Sequence, residues 1–340
     1  MKLKRPLLES FCICVIERLI ILLTIKKRKT ILMELIKPTV ELITETDPFK
    51  KIEIAGRTCY KSEKNITDES SIKFYNNLVE HKHTAMLEHV SFLFEVTDEN
   101  LYNRCCAFKY LNCTDIPVTT LHFDNTVTIY RQLVSGNLRA INESGIPELL
   151  ETLFAYDKRL VYNSKFIEEA NSRPPYALDC SDNVTLVDLS DYVDLTEKEL
   201  LNHKYTTMRF ICDRGVTHEL VRHRPFSFAQ ESTRYVNYAK NEMQFIEPAD
   251  FNNWDARKQN YFIDSLTVAE IAYNKMISEF NAPPQEARAL LPNAIKTEIV
   301  VTGNYAEWNH FFDLRYHGTT GKPHPDIKRI AEMAYKLLSE

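Results

Sequence analysis

The spacing of apolar residues along the chain predicts an alternation of helices and strands. In segment 72–79, apolar side chains recur every three or four residues, which is the period of an amphipathic helix. In segment 90–96, apolar side chains occupy every second position, as in a half-buried strand. His83 therefore falls in the connection between a helix and a strand. Similar patterns predict a strand near 39–44, a helix around 255–280, a short helix in 284–292, a strand near 297–302, and helices near 305–315 and 324–339.

A further helix is predicted to end at Pro225. Apolar or small residues at positions 208, 211, 212, 215, 216 and 220 would share one stripe of this helix. Glu219 and His223 continue the stripe, and burial of a carboxylate or an imidazole costs free energy unless it has a polar partner. We therefore expect Glu219 and His223 to line a cleft.

Two regions differ from this regular alternation. Segment 104–206 has turn signals at 135–137 and 172–175, and we interpret it as an insertion in a domain that covers residues 33–340. The first 32 residues are basic and apolar, and we interpret them as an N-terminal extension that is disordered or not translated. A secretion signal is the alternative, but charged residues interrupt the apolar run.

Composition narrows the class of protein. The chain has 340 residues, 44% of them hydrophobic and 26% charged, as in an ordinary globular protein. Its formal net charge of −5 argues against polyanion binding by the chain as a whole. None of its seven glycines falls in a GxGxxG or GxxxxGK[ST] phosphate-binding motif. Eight scattered cysteines predict neither a zinc framework nor a disulfide ladder, which favours a reducing, cytoplasmic location.

Segment 208–235 concentrates positive charge, with five arginines against three acids. Arginine supplies planar, paired donors for phosphate, and the hydroxyl and amide groups between Ser227 and Arg234 could complete an anion site. A solvated helix end with surface ion pairs is the alternative. His218 and His223 are five residues apart, whereas the zinc motif HExxH needs a spacing of four, so we predict no metal.

Four ordered motifs resemble those of the flavin-dependent thymidylate synthases, the ThyX family. Arg222-His223-Arg224 is followed after seven residues by Ser232, and then by Arg234-Tyr235. The other three motifs are segment 83–89 with its His-x-x-x-x-Glu-His pattern, ARALLP with Arg288, and a C-terminal element with Asn304, His310 and Arg315. The resemblance covers residues 33–103 and 207–340.

The resemblance implies an α+β fold, in which helices flank a central, mostly antiparallel sheet and the insertion is largely helical. It also implies a homotetramer with active sites shared between subunits. The implied reaction is the reductive methylation of dUMP to dTMP, with methylenetetrahydrofolate as carbon donor, FAD as cofactor and NADPH as reductant. Neither nucleic acid nor a membrane is an expected partner.

The same resemblance implies roles for individual residues. Arg315 is the expected catalytic residue, because a cation beside the uracil ring would stabilise negative charge without a covalent enzyme adduct. The residues implied for flavin binding are His83, Arg222, His223, Arg224, Gln230, Asn304 and His310. Those implied for substrate binding are Glu219, Arg222, Gln230, Glu231, Ser232, Thr233, Arg234, Arg288 and Arg315.

Glu219 departs from the family pattern, because many members have glutamine at this position. A carboxylate close to a phosphate would repel it, so we expect Arg222 or Arg288 to neutralise Glu219. Ala85 is a second departure, since serine or threonine is usual there.

Three alternatives stay open. A nucleic-acid-binding protein could use the Arg222–Arg234 segment on phosphates, with Phe226 and Phe228 stacking on bases. A metal-dependent hydrolase is opposed by the histidine spacing. A thiolate mechanism would need Cys59 or Cys212, and we expect both to be buried core residues.

Overall fold

Two four-stranded antiparallel sheets organise the chain in the computed structural model, which describes residues 34–122, 125–172, 182–192, 196–240 and 243–339. The first sheet consists, in spatial order, of β2 (Thr39–Leu42), β7 (Tyr205–Asp213), β10 (Lys296–Asn304) and β8 (Ser227–Gln230). The second consists of β4 (Asn112–His122), β5 (Asn125–Asn137), β3 (Ser91–Val96) and β6 (Val184–Val187). A short parallel pair joins β1 (Glu34–Ile36) to β9 (Gln244–Ile246).

Helices alternate with these strands along the chain. They are α1 (Pro48–Tyr60), α2 (Ser70–Glu80), α3 (Glu99–Ala107), α4 (Leu138–Ser144), α5 (Pro147–Asp157), α6 (Ser164–Ser172), α7 (Glu197–Leu200), α8 (Arg214–Leu220), α9 (Ala256–Ser278), α10 (Pro284–Ala287), α11 (Tyr305–Phe312) and α12 (Pro325–Ser339). A 3₁₀ segment, Thr84–His89, leads into β3, and a π-helix, Asp313–His317, extends α11. Asp47, Asp98, Asp213 and Asp255 cap α1, α3, α8 and α9 by accepting hydrogen bonds from backbone N–H groups.

β10 lies at the centre of the first sheet. All nine of its residues are buried, because β7 and β8 pair with its two edges and helices pack on both faces. On one face, Ile299 and Val301 pack with Trp308 of α11. On the other face, Val300 packs with Ala55 of α1. The polar residues of β10 must therefore find their partners inside the protein.

Most of the predicted elements are confirmed. β2, α2, β3, α9, α10, β10, α11 and α12 all lie where the spacing of apolar residues predicts them. In α12 the buried residues Ile327, Ile330, Ala331 and Ala334 follow the helical i, i+3, i+4, i+7 spacing. The mixture of helices with antiparallel sheets also confirms the predicted α+β class.

The predicted helix over residues 208–225 is wrong in its first half. Residues 205–213 form β7, and α8 begins only at Arg214. Met208, Phe210 and Cys212 are buried with a period of two, and β7 pairs with β10 along its whole length. Positions 208 and 212 satisfy both the helical and the strand period, so the pairing with β10 decides between them.

The segment predicted as an insertion contains the helices α4, α5 and α6, and also the long hairpin of β4 and β5, which the pattern did not predict. The turn predicted at 135–137 is wrong, because these residues end β5 and pair with β3. Gly136 allows a close approach there: a Cβ at this position would lie 2.5 Å from Cδ2 of Leu111. The predicted extension over residues 1–32 lies outside the described residues.

We expect Gly303→Ala to lower the free energy of unfolding by about 1–3 kcal/mol, because a Cβ at this buried position in β10 would overlap the Phe226 ring. The ring atom nearest to that Cβ would be Cδ1 of Phe226. Urea denaturation measures the effect. Gly215→Ala in α8 is the matched control, because its Cβ would come within 3.0 Å only of Oδ1 of Asp213, at 2.9 Å, and alanine favours a helix. Unchanged stability of Gly303→Ala would contradict the packing of Phe226 on β10.

Candidate functional site

The Arg222–Arg224 segment leaves α8 in a tight turn. The backbone N–H of Arg222 donates to the carbonyl of Glu219 at 3.3 Å, and that of His223 donates to the carbonyl of Leu220 at 3.0 Å. Pro225 prevents the chain from continuing as a helix. As a result His223 is buried, whereas the neighbouring Arg222 and Arg224 are exposed.

Arg315 joins two elements of the site by binding Glu219 and His223; these three residues form the Arg315 cluster. Nη1 of Arg315 donates to Oε2 of Glu219 at 2.8 Å, and Nε donates to Nε2 of His223 at 3.1 Å. Arg315 lies in the π-helix after α11, a wider turn often found at functional sites. The cation that neutralises Glu219 is therefore Arg315. The prediction that Arg222 or Arg288 would neutralise Glu219 is wrong.

The environment of His223 favours its neutral form. Desolvation, the Arg315 guanidinium and His310 together lower the pKa of His223 to about 4. Because Nε2 of His223 accepts a hydrogen bond from Arg315, the proton of the neutral ring is on Nδ1. His223 thus orients the guanidinium without adding a second positive charge.

An apolar wall surrounds the imidazole of His223. Its ring lies 5.1 Å from that of Phe311 and 6.1 Å from that of Phe226, centroid to centroid. His310 is exposed, with its ring 6.2 Å from that of His223. The low polarity of this wall strengthens the electrostatic contacts of Arg315.

The turn after β8 is anchored by three separate elements. Nε2 of Gln230 donates to Oγ1 of Thr217 in α8 at 2.9 Å. The backbone N–H of Glu231 donates to the carbonyl of Glu298 at 2.8 Å, and that of Ser232 donates to the carbonyl of Cys59 at 2.9 Å. The turn 230–235 is therefore held next to α8, β10 and α1 at once.

A buried ionic group lies beneath the same turn. Tyr238 donates to Oε1 of Glu231 at 2.7 Å, and Nζ of Lys296 is 3.5 Å from Oε2 of Glu231. Lys296 also pairs with Glu298, which pairs with Lys61 as well. Two carboxylates and two ammonium groups balance one another, as buried charges must. The side chain of Glu231, expected to bind substrate, is thus engaged in internal contacts.

A cavity of about 560 Å³ adjoins the Arg222–Arg224 segment, and Arg224, Ser227, Tyr205 and Glu307 are among the residues that line it. Desolvation raises the pKa of Glu307 to about 7, so this carboxyl can donate as well as accept a hydrogen bond near neutral pH. Asn304 and Glu307 form a reciprocal capping box at the start of α11, with two N–H to O distances of 2.9 Å.

The remaining predicted histidine, His83, is exposed where the 3₁₀ segment begins. That segment packs against β8 and ends at His89, which is fully buried. Nδ1 of His89 lies 2.8 Å from Oγ1 of Thr302, and desolvation lowers its pKa to about 3. Within the described part of the chain, Nε2 of His89 has no hydrogen-bond partner.

Several predicted cations are exposed. The side chains of Arg222, Arg224 and Arg288 form no hydrogen bond or ion pair with the residues that the structure describes. Arg234 is also exposed, with its guanidinium carbon 5.5 Å from the centroid of its neighbour Tyr235. These groups keep their charge available to an anionic ligand, while Thr233 is buried in the turn.

Neither candidate thiol is activated. Burial raises the pKa of Cys59 to about 11, and burial with the nearby Asp213 raises that of Cys212 well above its usual value. Cys212 is buried in the core, as predicted from its position, whereas Cys59 is only partly buried. Over the described ranges, no group of His, Cys, Asp and Glu is placed to hold a metal ion, and no helix could cross a membrane.

Two polar residues next to the predicted set were missed by the sequence reasoning. Glu307 carried a usable signal, since Asn304-x-x-Glu307 has the spacing of a capping box. Lys296 carried none, because its partner Glu231 is 65 residues away in the sequence and the two meet only through the pairing of β8 with β10.

A sequence model of the Thy1 family, described as thymidylate synthase complementing protein, matches residues 41–101 and 151–340. The chain belongs to the Thy1 family. The matched ranges contain every residue to which a role was assigned from the motifs, and they leave out residues 102–150. The predicted extent of the insertion, 104–206, stays a prediction.

Relatives of this Thy1 family member include enzymes named flavin-dependent thymidylate synthase. The one from Corynebacterium diphtheriae is 35% identical over 156 residues, which is 42% of this chain and 60% of the relative. The one from Geobacter sulfurreducens is 32% identical over 166 residues, which is 48% of this chain and 68% of the relative. The first of these matches therefore spans less than two thirds of the relative's length.

Solved structures overlap the chain only loosely. A UMP/dUMP methylase, PolB from Streptomyces cacaoi bound with 5-Br dUMP, gives a TM-score of 0.37 at 15% identity over 90% of this chain and 92% of that one. Thymidylate Synthase X from Helicobacter pylori, with FAD and dUMP, gives 0.33 at 21% identity over 41% and 69%. Overlaps this loose establish neither a shared fold nor a shared ligand.

The Arg315 cluster predicts an unusual titration of His223. NMR of the imidazole should give a midpoint near pH 4, and Arg315→Ala should raise it, because the cation that opposes protonation is removed. Since the folded pKa lies below the unfolded one, this residue's contribution to stability is complete above about pH 6.5 and is lost as the pH falls towards 4. Arg222→Ala, which removes an exposed guanidinium, is the control and should leave the midpoint in place. An unchanged midpoint in Arg315→Ala would contradict the contact.

Proposed function

We propose that this member of the Thy1 family is a flavin-dependent thymidylate synthase. In the net reaction, dUMP receives the methylene carbon of methylenetetrahydrofolate at C5, and reduced FAD provides the two reducing equivalents that make it a methyl group. The products are dTMP, tetrahydrofolate and oxidised FAD, which NADPH reduces again. The observation that carries the proposal is the Arg315 cluster, an oriented cation directly beside the Arg222-His223-Arg224 motif in a chain of this family.

The residues present suit a flavin nucleotide. Its pyrophosphate needs cations, and Arg222 and Arg224 are exposed and unpaired among the described residues, with Arg224 on the wall of the 560 Å³ cavity. The carboxyl of Glu307 can exchange hydrogen bonds with a polar group in that cavity. When bound, the flavin supplies the hydride chemistry that no protein side chain can provide. His83, Gln230, Asn304 and His310 complete the proposed flavin set.

Arg315 acts on the pyrimidine in this proposal. Its Nε and Nη1 are bound to His223 and Glu219, while Nη2 forms no hydrogen bond with the described residues. That amino group can donate to a uracil carbonyl oxygen and stabilise the negative charge that develops on the ring. The neutral His223 and the side chain of Glu219 hold the guanidinium in one orientation.

The turn 230–235 and Arg288 provide the proposed contacts to the nucleotide. Ser232, Thr233, Arg234, Arg222 and Arg288 supply hydroxyl and guanidinium groups, which suit a phosphate. The inward contacts of Glu231 and Gln230 keep the backbone of this turn in place. Because exposed cations from separate elements must converge, we also infer a homotetramer with shared sites in the cytoplasm; full activity of a highly diluted monomer would contradict the shared sites.

The chemistry is proposed to need Arg315 and no cysteine. Arg315→Ala should lower kcat for dTMP formation by about 10²–10³, because an oriented electrostatic contact to the transition state is lost. Cys59→Ala and Cys212→Ala should keep kcat within about threefold, because both thiols stay protonated at neutral pH. The assay follows dTMP from dUMP, methylenetetrahydrofolate and NADPH, with FAD bound as judged by its visible absorbance.

Arg257→Ala is the matched arginine control, because this exposed residue lies on α9 away from the motifs. Loss of turnover in Cys59→Ala with dUMP still bound would contradict the mechanism without an enzyme nucleophile. A colourless protein that retains no added FAD and binds oligonucleotides in a salt-sensitive way would overturn the proposed function itself.

A further inference from the structure

The cavity next to Arg224 has a second wall outside the ranges that the family model matches. Lys109 and Tyr110, from the connection between α3 and β4, and Asn112, the first residue of β4, line it together with family-matched residues such as Arg224 and Glu307. The match to the family model does not include these residues. A ligand bound in this cavity would contact both these residues and the family-matched ones.

The second wall is held firmly to the rest of the site. Nδ2 of Asn112 donates to the hydroxyl of Tyr205, in β7, at 2.6 Å. Leu111 is buried against Gly136 of β5, where a Cβ would leave it no room. Tyr110 lies edge-on to Phe108, with their ring centroids 5.8 Å apart. The wall is therefore formed before any ligand arrives, and binding needs little ordering of the chain.

Two cations of the cavity are available to an anion. Arg139 is neutralised by Glu88 and Glu143, at 2.8 Å and 2.7 Å. The side chains of Lys109 and Arg224 form no ion pair with a described residue, so both remain available to an anionic group. Together with Arg139 they set three cations against the carboxyl groups of Glu88, Glu143 and Glu307. Glu307 opposes them only in part, since desolvation raises its pKa to about 7.

A flat aromatic surface accompanies these charges. The ring of Tyr110 is 61% exposed, and Nζ of Lys109 lies 5.3 Å from its centroid. An aromatic ring next to an ammonium group that forms no ion pair with a described residue suits a ligand that carries a planar base and a phosphate in the same molecule. The cavity volume of about 560 Å³ lies within the usual range for such ligands.

We propose that Lys109 and Tyr110 bind the adenosine pyrophosphate moiety that FAD and NADPH share, with Tyr110 stacking on adenine and Lys109 and Arg224 pairing with the pyrophosphate. The proposal rests on the proposed function, and it makes the α3–β4 connection part of the dinucleotide site. Because FAD and NADPH share the adenosine pyrophosphate moiety, the experiment measures the binding of each dinucleotide separately.

The test compares nucleotides with and without the adenylate. Binding of FAD and FMN is followed by flavin fluorescence, and binding of NADP⁺ by calorimetry, for the wild type and Lys109→Ala/Tyr110→Ala. Lys165→Ala/Tyr261→Ala is the matched control, because both of these side chains are exposed and neither lines the cavity. Equal melting temperatures of the variants verify that the fold is kept.

The dissociation constant for FAD should rise at least about tenfold in Lys109→Ala/Tyr110→Ala, from loss of one stacking contact and one charge-assisted pair. That for FMN, which has one of the two phosphates and no adenine, should rise by no more than about threefold. A rise for NADP⁺ alone would support the same site and assign it to NADPH. Equal losses for FAD and FMN, or no loss for either dinucleotide, would overturn the inference and leave the proposed function standing. A wild type that binds neither dinucleotide would overturn both.

Discussion

The burial of β10 on both faces is the constraint on which the site depends. A strand with no side open to solvent must satisfy each polar side chain inside the protein, because an unpaired buried polar group costs free energy. Lys296, at its start, pairs with Glu231 and supports the turn after β8. Asn304, at its end, caps α11, and α11 leads directly into the π-helix that carries Arg315. β10 thereby positions both the turn after β8 and the π-helix with Arg315, which are far apart in the sequence.

Charge in the site is divided between internal and external groups. The internal charges are paired: Arg315 with Glu219, and Lys296 with Glu231 and Glu298. The external ones, such as Arg222 and Arg224, keep no partner within the described ranges. In the internal pairs, the attraction between opposite charges offsets part of the cost of desolvation and fixes the geometry of the side chains, whereas the external cations are available to an anionic ligand. A chain with a net negative charge can thus present a local positive surface to an anion without a glycine-rich phosphate-binding loop.

The neutral state of His223 links this electrostatic arrangement to the chemistry that we propose. A protonated imidazole next to Arg315 would repel it and could not accept its hydrogen bond. Desolvation next to Phe311 and Phe226 lowers the pKa of His223 and keeps its imidazole neutral. The apolar wall therefore helps His223 to accept the hydrogen bond from Arg315. In the cavity next to Arg224, Lys109 and Tyr110 lie outside the family-matched ranges and add a cation and an aromatic ring to the side chains of the family motif.

Local spacing was enough to predict the elements with a single, sustained period, such as α9, α12 and β10, and to identify the motif residues. That segment 205–213 is a strand follows from tertiary contacts, since residues 208 and 212 fit two periods and the pairing with β10 selects one. The folded structure also decided that Arg315 neutralises Glu219, and that Glu231 turns inward to Lys296. Such pairings join residues 65 to 96 positions apart in the chain, and no local pattern encodes which distant charge a folded backbone brings within 4 Å.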